Sequence, residues 1–189
     1  MRFKGILFPD HCLDHLNKSK MNKSNLHRLI SPKSIAVVGN RGANFAIRES
    51  LKLGYSHEIW AVHPTLESLE GIKCFKEVKD LPEPPDATFI AVNADTAIEI
   101  VSDLESMGSG GAVLYASGFG EVGDIGLIRN QQLVEAANGM PLIGPNCYGF
   151  INSLDGVALW PDVHGCDPVS EGVAIITQSG NIGLNMTMQ

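Results

Sequence analysis

The sequence predicts an α/β fold: a Rossmann-like doubly wound parallel sheet followed by the start of a second α/β domain. Three observations predict it. Five short apolar runs succeed one another from Ser34 onward, each apolar at both alternating positions, as strands buried on both faces are. Longer, helix-compatible stretches separate them, which is the βαβ order of a parallel sheet. Small residues follow run after run, and in open parallel sheets ligands bind outside these carboxyl ends of the strands.

Taken in order, residues 1–24 (MRFKGILFPDHCLDHLNKSKMNKS) are polar and basic after a short apolar start and carry no sustained period, so they are expected to form an N-terminal extension. His11 and His15 flank Cys12 at a spacing that would put two metal ligands on one helix face, but no third ligand is suggested nearby and a metal site is not expected. Residues 25–157 are expected to form the Rossmann-like domain. Its strands are SIAVVGN (34–40), EIWAVHP (58–64), ATFIAVN (87–93), GAVLYASG (111–118) and PLIGPN (141–146).

Helices are expected over 43–53, 94–107 and 124–138. In the second of these, Ala97, Ile98, Val101, Leu104 and Met107 recur at three- and four-residue spacings, leaving Asp95, Glu99, Asp103 and Glu105 for solvent. The connection GIKCFKEVKDLPEPPD is irregular, and Pro82, Pro84 and Pro85 end any helix before the third strand. After Asn152 the pattern breaks into a loop. Residues 168–189 then read as a strand, a turn and the first turns of a helix, GVAIITQSGNIGLNM, the beginning of an incomplete second domain that would expose apolar surface and call for a partner.

Composition narrows the function classes. The chain has 189 residues, 44% hydrophobic, enough for one substantial core. A net charge of -7 opposes a general role on nucleic acid, where Lys and Arg must neutralise phosphates. No apolar run approaches the roughly 18 residues of a membrane span, and no secretory h-region is present, so neither a membrane partner nor export is expected and the chain is placed in the cytoplasm. Cys12, Cys74, Cys147 and Cys166 form no C-x-x-C pair and signal neither a zinc site nor a disulfide framework. Oligomeric state is not legible, and a homo-oligomer stays open.

The strand ends hold the candidate site. After the first strand, Gly39, Asn40, Arg41 and Gly42 either let the backbone approach a phosphate at a helix N-terminus or form a plain tight turn. About 20 residues further, where a nicotinamide dinucleotide site needs an acidic residue, stands His63-Pro64-Thr65. NAD is therefore disfavoured. His63 is either a donor to a ribose phosphate or a residue fixed by the adjacent proline turn. Ser117-Gly118 and Gly144-Pro145-Asn146 end the fourth and fifth strands. Cys147 lacks an activating base nearby in sequence and reads as a packed thiol rather than a nucleophile. Ser179, Gly180 and Asn181 open the last helix, either as a phosphate site or as an ordinary N-cap.

In order, SPKSIAVVG, the strand-end VHP, GIKCFKEVKDLPEPPD, SGFGEVG, GPNCYGFIN and ITQSGNIG resemble the CoA-binding and following domains of NDP-forming acyl-CoA synthetases, relatives of the succinyl-CoA synthetase alpha subunit. The resemblance covers residues 25–189. It implies that the second domain is flavodoxin-like and that the ligand is coenzyme A. It places Gly39, Asn40, Arg41 and Gly42 at the CoA phosphates, His63 and Pro64 beside the adenosine, and Asn93, Ser117, Gly118 and Asn146 along the pantetheine. Ser179 and Gly180 match the helix start that faces a phosphohistidine in that family.

Two departures accompany the match. The loop GNRGANF is shorter and less Gly-rich than the usual form, and the relay histidine and the ATP-grasp sequence lie beyond these residues. His164, in WPDVHG, lacks the relay motif and is not assigned that role, so no catalytic residue is expected in this chain. ATP or ADP with Mg2+ would enter only through an ATP-grasp domain or subunit. The implied function is the CoA-binding portion of an acid-thiol ligase. A stand-alone CoA- or nucleotide-binding module is the alternative.

Overall fold

The computed structural model describes residues 23–188. The expectations for His11, Cys12 and His15 lie outside the described residues. Helix α1 (Lys23–Ile30), which takes in the last two residues of the expected extension, leads into β1 (Ser34–Gly39), α2 (Arg41–Lys52) and β2 (Glu58–Val62). A hairpin, β3 (Ser68–Leu69) and β4 (Ile72–Phe75), precedes β5 (Ala87–Ala91) and α3 (Ala94–Met107). The chain continues through β6 (Ala112–Leu114), α4 (Asp124–Ala137) and β7 (Leu142–Ile143). A second hairpin, β8 (Phe150–Asn152) and β9 (Val157–Leu159), and helix α5 (Gly180–Thr187) complete it.

The main sheet has the order β3-β4-β2-β1-β5-β6-β7, parallel throughout except for β3. All five expected strands are in place, shorter than the apolar runs, and the expected helices form within two residues of their anticipated bounds. The chain leaves β1 toward β2 on one side and returns to β5 on the other, so the topological switch point lies between β1 and β5.

Alternation along β1 explains why two layers of helix are needed. Ile35 and Val37 enter a core with Leu29 of α1, Ala46 and Ile47 of α2, and Val157 and Leu159 of β9. Ala36 and Val38 enter the opposite core with Val101 and Leu104 of α3 and Leu133 of α4. Successive residues are thus buried on alternate faces, which is why Ile35–Val38 holds no polar residue.

The connection read as irregular supplies the hairpin. The Gly71 turn lets Ile72–Phe75 return alongside β2 as a further parallel strand. The loop expected after Asn152 is instead a hairpin laid on α2, where the buried Ser50 hydroxyl donates to the Ala158 carbonyl (3.1 Å) and accepts from the Ala158 N–H (3.0 Å). One short polar side chain thereby completes the ladder of a two-strand sheet, a pairing that apolar periodicity does not encode. Residues 172–178, expected to be a strand, are exposed and have no ladder partner among the described residues, while α5 forms as anticipated. Among the described residues, no helix is long and apolar enough to cross a membrane.

Candidate functional site

Because the central strands are parallel, every loop that follows one emerges at the same sheet edge, and the candidate residues collect there. At the switch point Gly39 has φ +125°, and a Cβ there would collide with the Ala91 carbonyl of β5. Only glycine allows this approach. Gly42 lies one helical step on, where a Cβ would sit 3.1 Å from the Ala91 Cβ and 3.6 Å from the Tyr115 ring. It lets α2 start close against the sheet.

The N-terminus of α2 is uncapped. Asn40 makes no side-chain capping bond, and the first helical hydrogen bond runs from the Asn44 N–H to the Asn40 carbonyl (3.0 Å). The N–H groups of Arg41, Gly42 and Ala43 thus have no acceptor within the helix, and the helix dipole adds positive potential at that point. Arg41 is exposed and has no ion-pair partner among the described residues. Asn44 Oδ1, one turn in, is buried without a hydrogen-bond partner. Backbone donors, a free guanidinium and an unpaired acceptor are the equipment for an anionic ligand that also carries N–H or O–H groups.

His63 follows β2. Its Nδ1 accepts from the N–H groups of Thr65 (3.3 Å) and Leu66 (3.1 Å). Two backbone donors on Nδ1 fix the neutral tautomer with its proton on Nε2, which is left as a donor. The turn thus fixes the ring, as the second reading of His63 expects, and leaves its Nε2 free of the turn. Pro64 beside it is exposed.

Asn93 is the N-cap of α3, its Oδ1 accepting from the Thr96 N–H (3.1 Å), so its carbonyl oxygen is already engaged. Gly118 is pinned on both sides. Its N–H donates to Glu121 (2.6 Å) and its carbonyl accepts from Arg129 (3.1 Å), whose guanidinium also forms a paired bond to Asp95 (2.7 and 2.8 Å). These contacts hold the Glu121 and Asp95 carboxyls below their usual range, through the Gly118 N–H and the Arg129 guanidinium respectively. Ser117 is exposed beside this rigid loop. Asn146 adopts φ +53° and donates its N–H to the Ala116 carbonyl (2.9 Å), tying the ends of β6 and β7 together.

At α5, the Ser179 Oγ accepts from the Ile182 N–H (3.3 Å), and the Thr177 Oγ1 accepts from the Ser179 N–H (3.2 Å). Here the cap reading of Ser179 is realised, leaving the N–H groups of Gly180 and Asn181 outside the helical ladder. Gly180 packs on the Tyr148 ring. Tyr115, Tyr148, Arg129 and Glu121 were not singled out by sequence reasoning. The aromatics stood in plain view inside LYASG and NCYG, but that they meet depends on β6 and β7 being neighbours.

His164 is buried, its Nδ1 accepting from the Cys166 N–H (3.2 Å) and its Nε2 lying 3.7 Å from Glu49 Oε2. It faces α2, away from solvent. Cavities of about 440 Å³ near Lys33 and His57 and about 640 Å³ between α3 and α4 are not lined by the candidate residues. Among the described residues, no group of His, Cys, Asp and Glu could hold a metal ion.

Residues 33–153 match the family described as the CoA binding domain. The chain belongs to the CoA-binding domain family. Trans-feruloyl-CoA synthase of an unknown prokaryotic organism is 32% identical over 151 residues, covering 76% of this chain and 21% of the relative. The alpha subunit of ADP-forming acetate–CoA ligase II from Pyrococcus furiosus is 30% identical over 167 residues, covering 84% of this chain and 35% of the relative. Among solved structures, the dinucleotide forming acetyl-coenzyme A synthetase 1 of Ca. Korarchaeum cryptofilum, in complex with phosphate and ADP, superposes with a TM-score of 0.75 at 31% identity. That match covers 86% of this chain and 36% of the other. This CoA-binding domain aligns with one part of each of these relatives and spans well under half of their length.

Proposed function

We propose that the chain binds coenzyme A along the carboxyl edge of its sheet and serves as the CoA-binding portion of an acid-thiol ligase. The ligase would interconvert acid, CoA and NTP with acyl-CoA, NDP and phosphate. The observation that carries this reading is the uncapped α2 N-terminus, with unpaired Arg41, at the switch point between β1 and β5. CoA is a ligand of the matching kind: its phosphates suit these donors and its hydroxyl and amide protons suit the Asn44 acceptor.

In this reading Gly39, Asn40, Arg41 and Gly42 receive the phosphates, while His63 Nε2–H and Pro64 lie at the adenosine end. Asn93, Ser117, Gly118 and Asn146 follow the pantetheine, with Asn93 and Gly118 serving through the backbone they fix rather than through free polar groups. Gly180 and Asn181, with Ser179 as the cap of their helix, present N–H groups to a phosphate in the same edge region. The nucleotide and Mg2+ would be handled by an ATP-grasp domain or subunit, in the cytoplasm, with a homo-oligomer as one possible setting.

Titration with CoA, dephospho-CoA and NAD, read as thermal midpoint, tests the assignment. CoA at about 100 times its dissociation constant should add about 2.7 kcal/mol, worth roughly 5 to 10 degrees in a chain of this size. The shift should weaken with dephospho-CoA, vanish with NAD and shrink in Arg41→Gln. A folded sample with no response to CoA sinks the proposal.

A further inference from the structure

Among the described residues helix α5 has no strand ladder ahead of it: Val173 is 91% and Ile176 98% exposed, so the segment that leads into the helix does not locate it. What locates it comes from the side. Gly180 lies on Tyr148 so closely that a Cβ would be 2.9 to 3.0 Å from three ring carbons. Gly183, one turn on, would bring a Cβ to 3.3 Å from the Trp160 ring. At the far end the Gly165 backbone meets the Thr187 carbonyl. Two glycines three apart give α5 a flat stripe, and two aromatic rings fill it.

Those rings belong to a column that runs back to the other helix start. Tyr148 meets Trp160 edge-on at 5.0 Å and Tyr115 at 5.8 Å, and Tyr115 stacks on the buried Phe89 at 6.2 Å. Tyr115 also lies under Gly42, in the first turn of α2. The starts of α2 and α5 are therefore separated by two tyrosine rings, and the second ring sits against the start of α5.

Resting on the proposed function, we infer that Tyr148, backed by Tyr115 and Trp160, is the positioning residue that sets the N-terminus of α5 at a fixed spacing from the N-terminus of α2. The spacing is what a ligand bridging both helix starts would read. The ring supplies every one of these contacts, so phenylalanine should serve in its place and a branched aliphatic of similar bulk should not.

The test compares wild type, Tyr148→Leu and Tyr148→Phe by amide hydrogen exchange, with and without CoA. In Tyr148→Leu, the α5 amides should exchange about tenfold faster while β1 and β5 keep their protection, and in Tyr148→Phe they should stay within about twofold of wild type. CoA affinity should fall in Tyr148→Leu by the factor by which CoA slows α5 exchange in wild type, because the contact with α5 is then lost, and should stay within about twofold of wild type in Tyr148→Phe. In wild type and Tyr148→Phe, CoA should slow exchange at α5, and in Tyr148→Leu it should not.

Unchanged α5 exchange in Tyr148→Leu, or equal damage from Phe, overturns the brace. If Tyr148→Leu loosens the whole fold, Gly180→Val probes the same contact from the helix side, and it must free α5 while sparing β1. CoA failing to bind wild type would remove the functional reading alone, because the ligand-free comparison still reports on the brace.

Discussion

The chain uses one local pattern twice, and the two copies end differently. SIAVVGN followed by RGANF becomes β1 and α2; GVAIITQ followed by SGNIG yields an exposed segment outside any element and α5. Both are apolar at successive positions and both run into a small-residue turn. β1 has β2 and β5 as parallel neighbours and is buried at all six residues, whereas among the described residues no strand pairs with 172–178. A strand is completed by its neighbours, because its N–H and C=O groups need partners outside their own segment. A helix satisfies most of its own, which is why α5 forms where the preceding strand does not.

Core truncation should give the largest contrast between the copies. Ile35→Ala removes a fully buried side chain from β1 and should cost about 3 kcal/mol in urea unfolding. Ile176→Ala alters a side chain 98% exposed and should stay within about 0.5 kcal/mol. A cost above 1 kcal/mol at Ile176 would show that 172–178 acquires a neighbour in solution, and the contrast would break.

That asymmetry also marks how far the sequence could be read. The five runs and three helices were legible because apolar spacing reports burial, and burial is what the central strands have most of. The β3–β4 hairpin was not, since Cys74 and Phe75 are only half-buried at the sheet margin and the surrounding charges mask the period. Nor was β8–β9, where Ser50 of α2 takes the ladder role. At the site, Gly39 and Gly42 were legible as a phosphate loop or a tight turn, while their close approach to Ala91 of β5 depends on strand order. The cap roles of Asn93 and Ser179 differ from a ligand role only by the direction of one side-chain bond, and the Tyr115–Tyr148 contact exists only once strand order is known.

Helix caps give a smaller contrast. Asn93→Ala leaves the Thr96 N–H without its acceptor at the start of a helix packed into the core, and should lower global stability by about 1 kcal/mol. Ser179→Ala removes the equivalent bond at α5, but α5 has no buried residue, so the loss should appear as faster exchange of its own amides while the global midpoint stays put. Equal midpoint shifts from the two variants would mean that α5 unfolds with the sheet and that the two regions are one cooperative unit.

The smallest expected effect locates the boundary between them. His164 lies on the segment joining β9 to the unpaired run, packed on the last turn of α2 beside Glu49, with Lys52 Nζ donating to its carbonyl (2.6 Å) and Cys166 N–H donating to its ring. Burial pushes its pKa below the ordinary 6.5; Glu49 opposes this in part and Lys52 adds to it. The unfolded chain therefore takes up a proton near pH 6.5 that the folded chain refuses, so this contribution to stability is whole above that pH and declines as pH falls through the folded value. Asp95 and Glu121, whose pKa values are also lowered, lose theirs only below their ordinary values of 3.8 and 4.5, which keeps the windows apart. Unfolding free energy should thus begin to fall below about pH 6.5 in wild type and do so less steeply in His164→Gln. If the two curves coincide, His164 is solvated in solution, the latch on α2 is open, and the packed region ends at β9 rather than at Cys166.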